Sequence, residues 1–305
     1  MPTTRSGIDI EVHLGPDEWN RSLRREALAG LTATSKVLSP TWLYDERGCA
    51  LFDEITRLPE YYPTRAERSI LQRRALDAAA ITRADTLVEL GAGTAEKTRL
   101  LLDAMSLSGL LRRYVPFDVA ESTLRATAVA VAEEHPGLRV EGVVGDFRRH
   151  LGTIPTGGRR LIAFLGGTIG NLMPIERADM LRELADGMAP GDALLLGTDL
   201  VKDRARLVAA YDDRAGITAM FNKNVLAVLN RELGADFDLD RFDHVARFDD
   251  DEEWIEMRLR SRGAQTVNVP ELELTLRFAD GEDLRTEISA KFRPERVRDE
   301  LDAAG

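Results

Sequence analysis

The sequence predicts an α/β fold: a parallel sheet wound with helices, joined to a second α+β lobe. Three observations predict it. Between residues 86 and 198, apolar runs of strand length alternate with segments at helical spacing, in the order βαβαβαβαβ. A Gly-x-Gly turn, Gly91 and Gly93, joins the first of these strands to its helix. After Asp199 the pattern changes to two helices and then to strands that alternate at period two.

Composition excludes several classes of function. The chain has 305 residues, 44% hydrophobic and 30% charged, which is typical of a globular protein with one large domain or two lobes. Its net charge of -11 and the lack of a basic block argue against nucleic acid as a partner. One cysteine, Cys49, and four scattered histidines predict neither a disulfide nor a metal site.

The same composition gives an expected location. Residues 1–14 contain no apolar signal core, and no apolar run reaches the roughly 18 residues of a membrane span. We therefore expect a cytoplasmic monomer that does not enter a membrane.

The first 65 residues precede the wound sheet. They are mixed and polar to residue 40, with a helix predicted over 21–31, and then rich in aromatic residues and proline over 39–65. Tyr44, Tyr61 and Tyr62 lie in this one stretch. Two interpretations stay open: the tyrosines fasten the segment to the body, or they form a lid whose phenols reach a polar ligand. A helix follows over 64–81, with Thr64 expected as its cap.

The turn at Gly91 and Gly93 follows a buried strand, 86–90, and leads into a helix from Glu96. Glycines let the backbone approach a ligand closely, and a helix start offers unpaired N–H groups. A dinucleotide-binding fingerprint would have a third glycine where this chain has Glu96. Residues 89–94 (ELGAGT) instead resemble the first motif of S-adenosylmethionine-dependent methyltransferases. A plain strand-to-helix connection is the alternative.

Two further strands end in acids. The strand 113–118 ends at Asp118, which is placed to accept hydrogen bonds from both hydroxyls of a ribose. The alternative is that Asp118 caps the helix 121–134, and both roles could hold. The strand 138–147 ends in Asp146 and Phe147. This pair suits an adenine, with a carboxylate for the amine and apolar surface for the ring; a loop acid and a core phenylalanine are the alternative.

The fourth strand, 160–165, runs into a segment with three glycines and Asn171, and ligands collect at such strand ends in parallel sheets. A helix over 174–188 and a fifth strand over 193–198 complete the sheet. Residues 202–290 are predicted to be a separate lobe over this ligand edge, with helices over 203–212 and 216–234 and antiparallel strands over 254–260 and 267–286.

Four segments make the chain resemble one family, the bacterial L-histidine Nα-methyltransferases of ergothioneine biosynthesis, over essentially its whole length. They are residues 44–55 (YDERGCALFDEI), 58–65 (LPEYYPTR), 89–98 (ELGAGTAEKT) and 164–172 (FLGGTIGNL). The resemblance implies S-adenosylmethionine as cofactor and trimethylation of L-histidine to hercynine, the first step of ergothioneine biosynthesis.

The resemblance also implies the site residues. The expected cofactor contacts are Gly91, Lys97, Asp118, Asp146 and Phe147. The expected histidine contacts are Tyr44, Tyr61, Asn171, Tyr211, Glu287 and Ser289. Glu287 and Ser289, two apart on a strand, are expected to face the imidazole. Tyr44 and Asn171 are expected to act in catalysis by orienting the amine, and no residue is expected to bind a metal.

The resemblance implies a class I, Rossmann-like methyltransferase domain formed by 66–200 and 291–305, and a substrate-binding domain formed by 13–65 and 201–290. In the family two more strands follow the helix predicted over 292–305, so we expect an open sheet edge and lower stability in this chain.

Three alternatives remain at this point. The chain could methylate another amino acid or a protein, it could be an NAD-dependent oxidoreductase, or it could be a binding protein that kept the fold without catalysis.

Overall fold

The computed structural model describes residues 7–305, and its centre is a six-stranded sheet. The strands are β1 (Ile8–Val12), β2 (Thr86–Leu90), β3 (Arg113–Asp118), β4 (Arg139–Val144), β5 (Arg160–Phe164) and β6 (Ala193–Leu196). They lie in the order β1-β4-β3-β2-β5-β6, and every pair is parallel. All residues of β2 and β5 are buried, because helices cover both faces of a parallel sheet. The predicted α/β class is confirmed.

Ten α-helices occur in residues 7–305: α1 (Pro16–Thr32), α2 (Glu46–Arg57), α3 (Tyr62–Thr82), α4 (Arg99–Leu107), α5 (Glu121–Glu134), α6 (Phe147–His150), α7 (Pro174–Asp186), α8 (Arg204–Ala209), α9 (Ile217–Leu233) and α10 (Pro294–Ala304). The prediction that Thr64 caps α3 is wrong. This helix begins at Tyr62, and Pro63 occupies its first turn, where a missing N–H costs nothing.

The sixth strand, β1, was not predicted. Its residues alternate between apolar Ile8, Ile10 and Val12 and two acids, and it pairs with β4 at the sheet edge. Five residues at the edge of a sheet bury too little apolar surface for the sequence to predict a strand clearly. The expectation for residues 1–14 falls in part on residues 1–6, which lie outside the described residues. Between residues 7 and 305, no helix is long and apolar enough to cross a membrane.

The second lobe contains antiparallel strands, as predicted, but its first strand, over 242–249, was not predicted. Its strands are β7 (Phe242–Asp249), β8 (Trp254–Ser261), β9 (Gln265–Val269), β10 (Leu274–Phe278) and β11 (Asp283–Ala290). They form a sheet in the order β11-β8-β7 and a β9–β10 hairpin. One hydrophobic core joins this lobe to residues 23–62, with Leu23 and Trp42 packed in the same cluster as Leu207, Phe221 and Leu259.

Gly48 of α2 is required by the packing of this core. The helix starts against the 3-10 turn at 40–43, and an added Cβ at Gly48 would overlap the carbonyl oxygen of Leu43 and lie 2.8 Å from its carbon. A Gly48→Ala change should therefore lower the free energy of unfolding by about 3 kcal/mol or more. The matched control is Gly152→Ala, where a Cβ would meet nothing within 4 Å. Thermal or urea unfolding measures both changes, and equal stabilities of the two variants would contradict this close approach.

Candidate functional site

Two adjacent cavities, which share part of their lining, lie at the carboxyl ends of β2, β3, β4 and β5, the edge where ligands bind in parallel sheets. The outer cavity has a volume of about 760 Å³. The inner cavity, about 40 Å³, lies beside it beneath the second lobe and is large enough for about three waters or a small ring. The residues that line both cavities are Tyr44, Phe52, Tyr61, Gly166, Thr168, Asn171 and Glu287.

The Gly91–Gly93 turn forms one wall of the outer cavity. Gly91 and Gly93 have φ angles of +72° and +49°, which favour glycine, and a Cβ on either would point into open space. The Gly93 N–H donates to the Asp118 carboxylate over 2.8 Å. The backbone is therefore shaped for close approach by a ligand.

Asp118 lies at the end of β3 on the same wall. One carboxylate oxygen accepts from Gly93 and the other from the Ala120 N–H, at 2.9 Å, so each keeps a lone pair for a ligand hydroxyl. Burial raises the pKa of the Asp118 carboxyl, and these backbone hydrogen bonds oppose the rise. The alternative that Asp118 caps α5 is wrong, because Ala120 is the cap residue and that helix has no side-chain cap.

Asp146 and Phe147 follow β4 and line the outer cavity. Asp146 is only 2% exposed, and its carboxylate is paired with Arg148 at 2.8 Å, an interaction that was not predicted. Arg148 also donates to Thr41 at 2.8 Å, which ties the segment before α2 to this rim. The Phe147 ring packs edge-on against Phe164.

Lys97 lines the outer cavity and is paired with Glu67 of α3. Glu67 also accepts from the Gly166 N–H, at 2.8 and 3.0 Å. One carboxylate thus joins the loops after β2 and β5 and holds a cation at the cavity. Glu67 was not predicted, because its two partners are distant in sequence.

The inner cavity brings all six of the predicted substrate residues together: Tyr44, Tyr61, Asn171, Tyr211, Glu287 and Ser289. The Tyr211 and Ser289 hydroxyls are 2.7 Å apart, and Asn171 donates to the Ile288 carbonyl at 2.7 Å. Glu287 is 8% exposed. Burial raises the pKa of its carboxyl to about 7, although Lys291 and Asn171 favour the charged form.

Tyr44 and Tyr61 do two things at once. Their rings pack in the core, Tyr44 against Phe221 and Tyr61 against Tyr211, and both line the two cavities. Neither phenol oxygen has a hydrogen-bond partner within residues 7–305. Burial raises the pKa of both phenols well above the ordinary value, so they stay protonated as donors for a ligand. Tyr62 points elsewhere and donates to Asp199 at 2.6 Å.

Two more buried charged residues were not predicted. Glu89 lines the outer cavity and accepts from Thr98 and from Tyr114, and burial raises the pKa of its carboxyl to about 7. The sequence did contain a signal for Glu89, because it is an acid within an otherwise apolar strand. Lys291 follows β11 and contacts Tyr211 and Ser289. The sequence signal for Lys291 was its spacing of two residues from Ser289, since residues two apart along an extended chain point to the same side.

The outer cavity can hold a molecule of the size of a large cofactor, and the inner cavity can hold a small polar group beside it. Acids and hydroxyls line them, and no group of three or more potential metal-ligating side chains occurs between residues 7 and 305. The geometry thus fits group transfer between two bound organic molecules.

Comparison with known proteins agrees with this geometry. A sequence profile described as "Histidine-specific methyltransferase, SAM-dependent" matches residues 23–305. Histidine N-alpha-methyltransferases of Mycolicibacterium smegmatis and Mycobacterium tuberculosis are each 59% identical over 98% of this chain and 93% of their own length. Ergothioneine biosynthesis protein 1 of Schizosaccharomyces pombe is 32% identical over 79% of this chain and 32% of its own length.

Proposed function

The chain belongs to the family of S-adenosylmethionine-dependent, histidine-specific methyltransferases, and we propose that it methylates the α-amino nitrogen of L-histidine three times to give hercynine, the first step of ergothioneine biosynthesis. The observation that carries this proposal is the inner cavity, where the buried acceptor Glu287 lies next to the cofactor-sized cavity. An NAD-dependent reaction is not favoured, since the family uses S-adenosylmethionine.

The outer cavity fits S-adenosylmethionine. The Gly91–Gly93 turn carries no side chain, so a ligand can approach its backbone closely, and Asp118 retains lone pairs for the two ribose hydroxyls. Asp146 and Phe147 would hold the adenine, and Lys97 the methionine carboxylate. When bound, this cofactor supplies a methyl group on a sulfonium, already activated for displacement. The protein therefore has to position and desolvate the nucleophile rather than activate the methyl group.

The inner cavity fits the side chain of histidine. A carboxylate that accepts from an imidazole N–H makes a charge-assisted hydrogen bond, and Glu287 is placed for this with Ser289 beside it. The carboxylate and amine of the amino acid would then lie toward the outer cavity. There they would meet the free phenols of Tyr44 and Tyr61, together with Asn171.

The nucleophile is the neutral α-amine. Its lone pair forms the new C–N bond as the bond from the methyl carbon to sulfur breaks. Each of the three rounds therefore begins when the ammonium form gives up one proton, so three protons leave the nitrogen in all. Tyr44 and Asn171 orient the amine, since their polar groups line the junction of the two cavities. In the third round the dimethylated amine has a lone pair only after it gives up its proton.

We propose that the chain has two domains with different functions. Residues 13–65 and 201–290 form the substrate-binding domain, and residues 66–200 and 291–305 form the methyltransferase domain. The core shared by the N-terminal segment and the second lobe supports this division. We further propose that the enzyme is a cytoplasmic monomer with no nucleic-acid or membrane partner, in line with its net charge of -11. Light scattering on the purified protein tests the monomer.

Mass spectrometry of L-histidine incubated with the protein and S-adenosylmethionine tests the proposed reaction. We expect products heavier by one, two and three methyl groups, with every methyl on the α-nitrogen in fragment spectra. Leucine, other amino acids and a cell extract of proteins serve as competing substrates. Methylation of a ring nitrogen, or of another substrate in preference to histidine, would contradict the proposal.

A pH dependence follows from the Glu287 carboxyl, whose pKa burial raises to about 7. The ionised form accepts the imidazole N–H, so kcat/KM for histidine should fall as the pH drops through about 7. Glu287→Gln has no titrating group at this position. Histidine itself titrates in this range, but it affects parent and variant alike and so cancels in the ratio of their kcat/KM values. This ratio, parent over variant, should decrease as the pH is lowered from about 8 to about 6. A flat ratio would show that ionisation of Glu287 is not used.

A further inference from the structure

Lys291 lies behind the inner cavity and is only 1% exposed. Its ammonium donates to the Tyr211 phenol oxygen at 2.9 Å and to the Ser289 hydroxyl oxygen at 2.8 Å. The third neighbour is the Asp199 carboxylate, at 3.3 Å. Burial lowers the pKa of the Lys291 ammonium, and Asp199 opposes that effect. Three acceptors therefore surround the three N–H donors of this side chain.

Counting protons shows that one hydroxyl proton of Tyr211 and Ser289 is left without a partner in the described part of the protein. Tyr211 and Ser289 are 2.7 Å apart, so one of the two hydroxyls donates to the other. An ammonium has no lone pair, so the second hydroxyl proton cannot go to Lys291. Neither hydroxyl has another partner within residues 7–305. Since both residues line the inner cavity, that proton is available to the molecule bound there.

Glu287 lies on the same wall of the inner cavity and is a hydrogen-bond acceptor rather than a donor. Lys291 and Asn171 favour its carboxylate form, while the phenols of Tyr44, Tyr61 and Tyr211 face the same space. The Glu287 carboxylate is therefore an acceptor on this wall and the free hydroxyl of the Tyr211–Ser289 pair is a donor, while the phenols of Tyr44 and Tyr61 also line the outer cavity, toward the α-amine.

A neutral imidazole has one N–H and one nitrogen lone pair, whereas an imidazolium has two N–H groups and no lone pair. We propose that Lys291 is a positioning residue that makes the inner cavity select neutral imidazole in a single tautomer. It does so by directing the free hydroxyl proton of the Tyr211–Ser289 pair at the unprotonated ring nitrogen while Glu287 takes the N–H. This inference rests on histidine as the substrate.

Nitrogen NMR of the parent enzyme tests the selection directly. Histidine labelled with ¹⁵N in the ring is bound together with S-adenosylhomocysteine, which prevents turnover. We expect one protonated and one unprotonated ring nitrogen, in fixed positions. Two protonated nitrogens, or two that average between tautomers, would overturn the selection while leaving histidine as the substrate. Failure of histidine to bind at all would overturn both the selection and the proposed function.

A pair of variants tests the part played by Lys291. Lys291→Met removes the ammonium from Tyr211 and Ser289, whereas Lys202→Met removes a cation that contacts Asp199 and Tyr62 in the same buried network but neither cavity hydroxyl. We expect the first change to weaken histidine binding and raise KM by about tenfold or more, with kcat at saturation and S-adenosylhomocysteine affinity little changed. The second should alter KM by less than about twofold.

The NMR spectrum of the Lys291→Met complex adds a second measurement. If Lys291 only stabilised the fold, its replacement would leave the ring-nitrogen signals unchanged. Without the ammonium the free hydroxyl can turn, so the ring nitrogens should average between tautomers. Parent-like KM together with a parent-like spectrum would overturn the role of Lys291. If this variant does not fold, the spectrum of the parent still decides whether the cavity selects one neutral tautomer, and Lys291→Gln, which is neutral but keeps N–H donors, takes its place in the comparison.

Discussion

Replacing Glu287 with alanine should lower kcat/KM for histidine by roughly 10²-fold or more, on the order of 3 kcal/mol. The side chain is buried in the wall of the inner cavity, and its carboxylate is the proposed acceptor for an imidazole N–H. Loss of the acid leaves that N–H desolvated without a partner, which is costly. The affinity for S-adenosylmethionine, which would lie in the outer cavity, should barely change.

Leucine and a thermal melt are the controls for this change. The parent should reject leucine, since an aliphatic side chain cannot compensate for desolvation of the Glu287 carboxylate. A melt of the variant separates loss of recognition from loss of fold. If the parent methylates histidine and leucine alike, or the variant keeps the preference for histidine, Glu287 is only a structural residue of β11.

Asp118→Ala should weaken binding of S-adenosylmethionine by about 10²-fold or more. A carboxylate that accepts from two ribose hydroxyls makes two charge-assisted hydrogen bonds, each contributing roughly 1.5–3 kcal/mol. The change also removes the acceptor for the Gly93 and Ala120 N–H groups, which shapes the Gly91–Gly93 turn. Calorimetric titration measures the loss.

Glu121→Ala is the matched control for this change. Glu121 is a nearby acid at the start of α5, paired with Arg125 and outside the cavity wall, so cofactor affinity should stay within about twofold. Asp118→Asn keeps one accepting oxygen and should fall between parent and alanine variant. Unchanged affinity in Asp118→Ala would remove this residue from the cofactor site.

Much of the fold could be predicted because its central strands are buried on both faces. Continuous apolar runs such as β2 and β5 give a strong signal, and the predicted bounds of α5 match those found. The strand β1 was missed because five residues at a sheet edge, with alternating acids, are stabilised by pairing with β4 rather than by their own composition.

The site was less accessible to sequence reasoning alone. Asp118 and Asp146 could be placed from their positions at strand ends, whereas Glu287 would be an ordinary strand acid without the family resemblance. Glu67 was missed because its partners Lys97 and Gly166 come from other loops. Lys291 was missed because its function depends on two hydroxyls that only tertiary folding brings together.

A crystal structure of the protein with S-adenosylhomocysteine and L-histidine tests the central claim most directly. We expect the imidazole in the inner cavity, with one ring nitrogen within hydrogen-bond distance of the Glu287 carboxylate and the other near the Tyr211–Ser289 pair. The α-amine should then point at the cofactor sulfur, between Tyr44 and Asn171. Histidine bound with its imidazole toward the sulfur, or bound outside both cavities, would contradict the account.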